Sequence, residues 1–83
     1  MFIQDQTGKV TFNMRFYLLK QIKNQIFIYD KQRNCLGIVA EYDNNEITKE
    51  ILAEVIDIMK VSLHTRAYCT YRFPLMSEIA EVI

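Results

Sequence analysis

The most reactive side chains in this sequence are Cys35, Cys69 and His64, with Asp57 the acid best placed to orient an imidazole. A cysteine nucleophile works as a thiolate beside a histidine base, which a carboxylate in turn holds in place. Asp57 and His64 lie seven residues apart. On a helix that separation is roughly 20° of rotation, so the two share a face. The face is polar and solvent-directed, and no glycine-rich turn or other source of oxyanion-stabilising donors lies nearby. The pattern predicts a helix-end histidine and two buried structural thiols, the usual habit of free cysteine.

Metal and phosphate chemistry find no better footing. Cys35, Cys69, His64 and a carboxylate lack the paired local spacing of zinc ligands. Asp43 and Asn45 begin like a calcium loop, but Ile47 stands at the fifth position and no glycine follows. Helix capping accounts for both residues. The glycines are Gly8 and Gly37, so no phosphate-cradling loop is encoded. No catalytic residue, metal ligand or cofactor is assigned, and the expectation is a non-enzymatic protein.

Nucleic-acid binding has more material. Arg15, Lys20, Arg66 and Arg72 fall on strand-like runs that also carry Tyr17, Phe27, Tyr29, Tyr68 and Tyr71. Aromatic rings that stack bases, beside cations that hold phosphates, are one physical solution to single-strand binding. The sequence pI of 6.6 is far from the strongly basic footprint of such proteins. The aromatics are better read as core or as a self-association surface, with nucleic acid as the alternative.

Short strands and one helix must position these residues. Met1–Gln4 reads as a first strand and Asp5–Gly8 as a turn. From Val10 to Phe16 the chain alternates, with Val10, Phe12, Met14 and Phe16 on one side. The alternation breaks at Tyr17–Leu19, which predicts a bend or bulge before the strand closes near Ile22. Lys23–Gln25 reads as a hairpin turn, Ile26–Tyr29 as a strand, Asp30–Asn34 as a polar loop and Cys35–Tyr42 as a further strand. Gly37 within it predicts a kink or a close backbone approach.

Glu46–His64 is the segment with sustained helical periodicity. Asp43, Asn44 or Asn45 can cap it, and Asp43 with Glu46 has capping-box spacing. Ile47, Ile51, Leu52, Val55, Ile56, Ile58, Met59 and Leu63 cover about half its circumference, a stripe suited to lying on a sheet. Arg66–Phe73 reads as a closing strand that Pro74 ends. The tail, 74–83, has weak helical character with Ser77 as a possible cap, and forms a short helix only if it docks.

The run Leu36-Gly37 to Glu41-Tyr42, the acid- and Asn-rich cap, the Ile/Leu-rich helix and Tyr71-Arg72-Phe73-Pro74 together resemble a loose set of short proteins from Gram-positive bacteria and their phages. Those proteins carry short strands, a Leu-Gly-x-Tyr-type strand, one helix and a last strand ending in Met-Pro. This chain departs from that pattern with three residues between Gly37 and Glu41, and with Phe73 before the proline. The resemblance implies this order of elements and a bacterial or phage origin, and it implies no activity.

Eighty-three residues, 51% of them hydrophobic, suffice for one small domain over 1–83 and argue against disorder. Zero net charge conceals an asymmetry: six basic residues face two acids up to Ala40, and four face eight from Glu41 onward. No basic-then-apolar leader occurs, no apolar run approaches the ~18 residues of a membrane span, and two cysteines are too few for a disulfide framework. The expectation is a cytosolic protein with reduced thiols and no membrane contact. The fold class predicted is α+β: an antiparallel meander of four or five strands on one long amphipathic helix, with a closing strand and short tail. One helix covers only one face of such a sheet. An uncovered face carrying Tyr17, Phe27, Tyr29, Val39 and Tyr71 predicts a homodimer or another protein contact.

Overall fold

A computed structural model of the chain describes the backbone of residues 1–65 and 69–80, and the side chains of 1–62 and 69–79. Among these residues the order is β1 (Phe2–Gln4), β2 (Thr11–Asn13), β3 (Tyr17–Ile22), β4 (Gln25–Asp30), β5 (Cys35–Glu41), α1 (Asn45–Thr65), β6 (Thr70–Arg72) and α2 (Met76–Ala80). The class is α+β. The strands form two three-stranded sheets, β2-β1-β6 and β3-β4-β5. The meander is thus shorter than predicted, and the closing strand joins the first one, lying parallel to β1 with Phe2 beside Thr70.

The chain splits into two sheets because of a turn that hydrophobic alternation conceals. Asn13 accepts the Arg15 N–H on its side-chain oxygen at 3.1 Å and the Phe16 N–H on its carbonyl at 3.0 Å. This asparagine turn ends β2 three residues before the alternation does. A new strand starts at Tyr17, where a bulge was expected. The β3–β4 hairpin closes through Lys23 and Asn24, with Lys23 at φ 55°, the left-handed backbone that a two-residue hairpin turn demands. At the next corner the Asp30 carboxylate accepts the Gln32 and Asn34 N–H groups, both at 2.9 Å, while Arg33 takes φ 70°.

Two register shifts interrupt β5. Ala40 stands opposite Ile26 and Ile38 opposite Phe27, so Val39 is an inserted residue; Leu36 is inserted in the same way between Gly37 and Cys35. The first bulge lets both Val39 and Ala40 turn inward. Gly37 has φ 139°, and a Cβ built there would meet nothing within 4 Å. The glycine is required by backbone conformation; no neighbouring backbone approaches it.

Asn44 is the residue that caps α1. Its side-chain oxygen accepts the Ile47 N–H at 2.9 Å, and its carbonyl accepts the Thr48 hydroxyl at 2.9 Å. That second bond satisfies the hydroxyl of Thr48, which is fully buried. The buried stripe runs through Thr48, Ile51 and Val55, with Ile47, Leu52 and Met59 packed against it. It is narrower than the predicted half-circumference, and Ile56, expected inside, is exposed. Leu63 and the His64 side chain lie outside the described residues, as do 66–68 of the predicted last strand and 81–83 of the tail. In α2 the Glu78 carboxylate accepts the Leu75 N–H at 3.3 Å, serving the start of the helix in place of Ser77.

The helix lies over the inner face of β3-β4-β5, and the core it closes also takes Ile3, Met14 and Phe73 from and around the other sheet. Gln6 fastens the two sheets together. Its N–H donates to Val39 O at 3.0 Å, its amide oxygen accepts the Glu41 N–H at 2.8 Å, and its Nε2 donates to Glu41 O at 3.0 Å and Pro74 O at 3.1 Å. Tyr42, itself buried, adds a hydroxyl bond to Pro74 O at 3.0 Å.

Candidate interaction surface

The face of β3-β4-β5 turned away from the helix is built from three cross-strand rows. Ile22, Gln25 and Glu41 form the first, Lys20, Phe27 and Ile38 the second, and Leu18, Tyr29 and Cys35 the third. Alternation within β3 and β4 puts Leu19, Ile26 and Ile28 on the inner side and these residues on the outer one. The first row is tied up by a Gln25 Nε2 bond to the Glu41 carboxylate at 2.8 Å. The other two rows are largely apolar, and Leu36 from the second bulge is exposed close by. Leu18, Leu36 and Ile38 are 46%, 49% and 48% exposed, large fractions for side chains of this kind.

Basic groups border this surface. A groove of about 340 Å³ is lined by Leu18, Leu19, Lys20, Tyr29 and Arg33. The Tyr29 phenol is pushed above its ordinary pKa by lost hydration and by the Cys35 thiol beside it. Among the described residues the ion pair found is Arg72 with Glu78 at 2.7 Å, so neither Lys20 nor Arg33 is neutralised by a carboxylate partner.

The predicted surface residues separate into two groups. Phe27 and Tyr29 stand on the outer face. Tyr17 points inward, its ring edge-on to Phe12 at 5.3 Å. Val39 is 3% exposed and belongs to the core, because the bulge reverses its direction. Tyr71 sits on the other sheet, edge-on to Phe73 at 5.6 Å and packed against the core. Burial pushes its phenol up to about 12, with the Glu54 carboxylate adding to the effect. Among the predicted nucleic-acid contacts, Lys20 is on the outer face, Arg15 is in the turn after β2, and Arg72 is on the far sheet in its ion pair. Arg66 lies outside the described residues.

Sequence reasoning passed over Leu18, Ile22, Arg33, Leu36 and Ile38. A signal for the β3 residues existed, since Phe16, Leu18, Lys20 and Ile22 alternate in step once a strand starts at Tyr17. No signal marks Ile38, because two bulges must be known before its side is fixed.

The two thiols are on different sheets. Cys35 is exposed at the start of β5, contrary to the expectation of burial, and Cys69 is half-buried just before β6. Among the described residues no cluster of three or more His, Cys, Asp or Glu side chains is arranged to hold a metal ion. No described helix is long and apolar enough to cross a membrane. Comparison with protein-family models, with curated proteins and with solved structures found no match.

Proposed function

We propose that this domain is a non-enzymatic interaction module that associates with itself through the β3-β4-β5 sheet, in a cytosolic setting that keeps its thiols reduced. The observation that carries the reading is the outer face of that sheet, where Leu18, Phe27, Tyr29, Leu36 and Ile38 gather with no described element of the chain over them. Burying a side chain of this size is worth about 1.5–3 kcal/mol, so a protein surface that covers a few of them gains a useful affinity. Sedimentation velocity from low to high micromolar concentration tests it. The expected result is a reversible rise in mass; a strict monomer throughout refutes self-association.

A second reading is favoured by the groove at Leu18, Lys20, Tyr29 and Arg33, which sets two cations with no carboxylate partner among the described residues beside a phenol ring. In that reading the outer face is a weak single-strand nucleic-acid surface. Fluorescence anisotropy with labelled RNA and DNA oligonucleotides, at low salt and then with added salt, decides it. No binding at low salt removes it.

A further inference from the structure

We infer that two copies of this chain join edge to edge along β3, across a two-fold axis, to make one continuous six-stranded sheet. The inference rests on the self-association reading and names the contact that produces it. Four observations lead to it.

The first is that β3 is the longest unbroken open edge among the described residues. It ends its sheet, and no backbone bond beyond the β3–β4 ladder engages residues 17–22 among the described residues. The open edges of the other sheet belong to β2 and β6, each three residues long. The far edge of β5 is occupied at its C-terminal end by Gln6, through Val39 O and Glu41 N, and the remaining Cys35–Ile38 stretch is broken by the bulge at Leu36.

The second is that β3 carries one of the devices that blunt an edge, the Lys20 ammonium on its outer face, and lacks the rest. Both bulges are in β5, no proline interrupts β3, and its inward-facing side chains are uncharged.

The third is the direction of the free backbone groups. A two-residue hairpin closes on a hydrogen-bonded pair, here Ile22 with Gln25, and bonded pairs then alternate along the ladder. Ile22, Lys20 and Leu18 therefore spend their backbone groups on β4. Tyr17, Leu19 and Gln21 point theirs outward.

The fourth is self-complementarity. A two-fold axis perpendicular to the sheet pairs residues on the same face. Centred on Leu19, it sets Leu19 beside Leu19 and Tyr17 beside Gln21 of the second copy, using every free group. On the outer face that register puts Leu18 opposite Lys20 of the second copy and brings Ile22 toward Phe16, the residue that leads into the second copy's β3. Phe16 and Ile22, 58% and 40% exposed, thereby approach each other twice over, and the Lys20 stem lies along Leu18. Moving the centre to Lys20 sets the two ammonium groups directly opposite each other, which is destabilising. The edge contact leaves the two outer faces uncovered and joins them into one surface, of projected area roughly 600 Å² from strand spacing and rise.

The test combines sedimentation with residue-resolved amide exchange on the whole chain. The edge contact predicts that the Tyr17, Leu19 and Gln21 amides become slow as concentration rises, while exposed amides elsewhere do not. Leu19→Pro removes a free N–H without touching the β4 ladder and is expected to raise the dissociation constant at least about tenfold. Phe27→Glu alters the face and leaves this dimer intact. A dimer with fast Tyr17, Leu19 and Gln21 amides that is lost in Phe27→Glu overturns the edge contact and leaves self-association standing. A wild-type chain that stays monomeric overturns both. The amide measurement decides even if Leu19→Pro fails to fold.

Discussion

At the scale of single residues, the buried polar side chains among the described residues each have a partner, and two tyrosines make the consequence of burial measurable. Burial pushes the Tyr42 phenol far above its ordinary pKa, with Tyr71, Glu54 and Glu78 adding to the rise, and pushes Tyr71 up to about 12. Both phenols bind their protons more tightly folded than unfolded. Their contribution is fully present below about pH 10, the unfolded value, and is lost as pH climbs through the folded one. We expect urea midpoints to be flat up to about pH 10 and to fall between there and about pH 12. Tyr42→Phe and Tyr71→Phe should each flatten that decline. An equal decline in the double variant would assign it to other groups. The N-cap gives a second residue-level test. Asn44→Ala removes the acceptor for the Ile47 N–H and should cost about 1 kcal/mol in urea unfolding, whereas Asp43→Ala should cost a few tenths at most. Asp43 with Glu46 had the better capping pattern in the sequence. Three consecutive cap-forming side chains cannot be ranked until the direction of entry into the helix is known.

Among the elements, the joint between the sheets matters more than any strand. The Gln6 side chain serves Glu41 N, Glu41 O and Pro74 O, one residue linking the β1–β2 turn, the end of β5 and the segment after β6. Gln6→Ala should cost about 2 kcal/mol, from bonds worth about 1 kcal/mol each and partly recovered by water. Gln6→Glu keeps the shape but turns a carboxylate toward two carbonyl oxygens, and should cost more at neutral pH. Acidification should narrow the difference as the carboxyl protonates. If the two variants unfold alike at every pH, the amide is not the clamp. The individual elements were legible where one local preference dominated. Ile26–Tyr29 and the α1 periodicity each declared their state through side-chain type alone. The split into two sheets was not legible, because it depends on Asn13 binding its own neighbouring backbone against a hydrophobic alternation that runs on to Phe16. The outer face was half legible for a related reason. Phe27 and Tyr29 keep the parity of an unbroken strand, while Val39 and Ile38 exchange sides at a bulge that side-chain types do not announce.

For the molecule as a whole, the basic half of the chain furnishes the three-stranded meander and the acidic half furnishes the helix that backs it. The open surface is thus the basic one, bordered by Lys20 and Arg33. The parallel pairing of β1 with β6 has a consequence in time. The meander β3-β4-β5 closes through short connections, whereas Phe2 finds Thr70 only when nearly the whole chain is present. Contacts between residues so far apart are slow to form. Ile28→Val in the meander should therefore slow refolding, while Ile3→Val should chiefly speed unfolding, as stopped-flow traces at several denaturant concentrations would read out. The opposite assignment would place the nucleus at the β1–β6 seam. On a ribosome the same geometry means that β1, made first, waits for β6 beside an open edge of its own. A chain halted before Thr70 carries an exposed strand that the finished protein hides, and its last strand acts as the latch against aggregation.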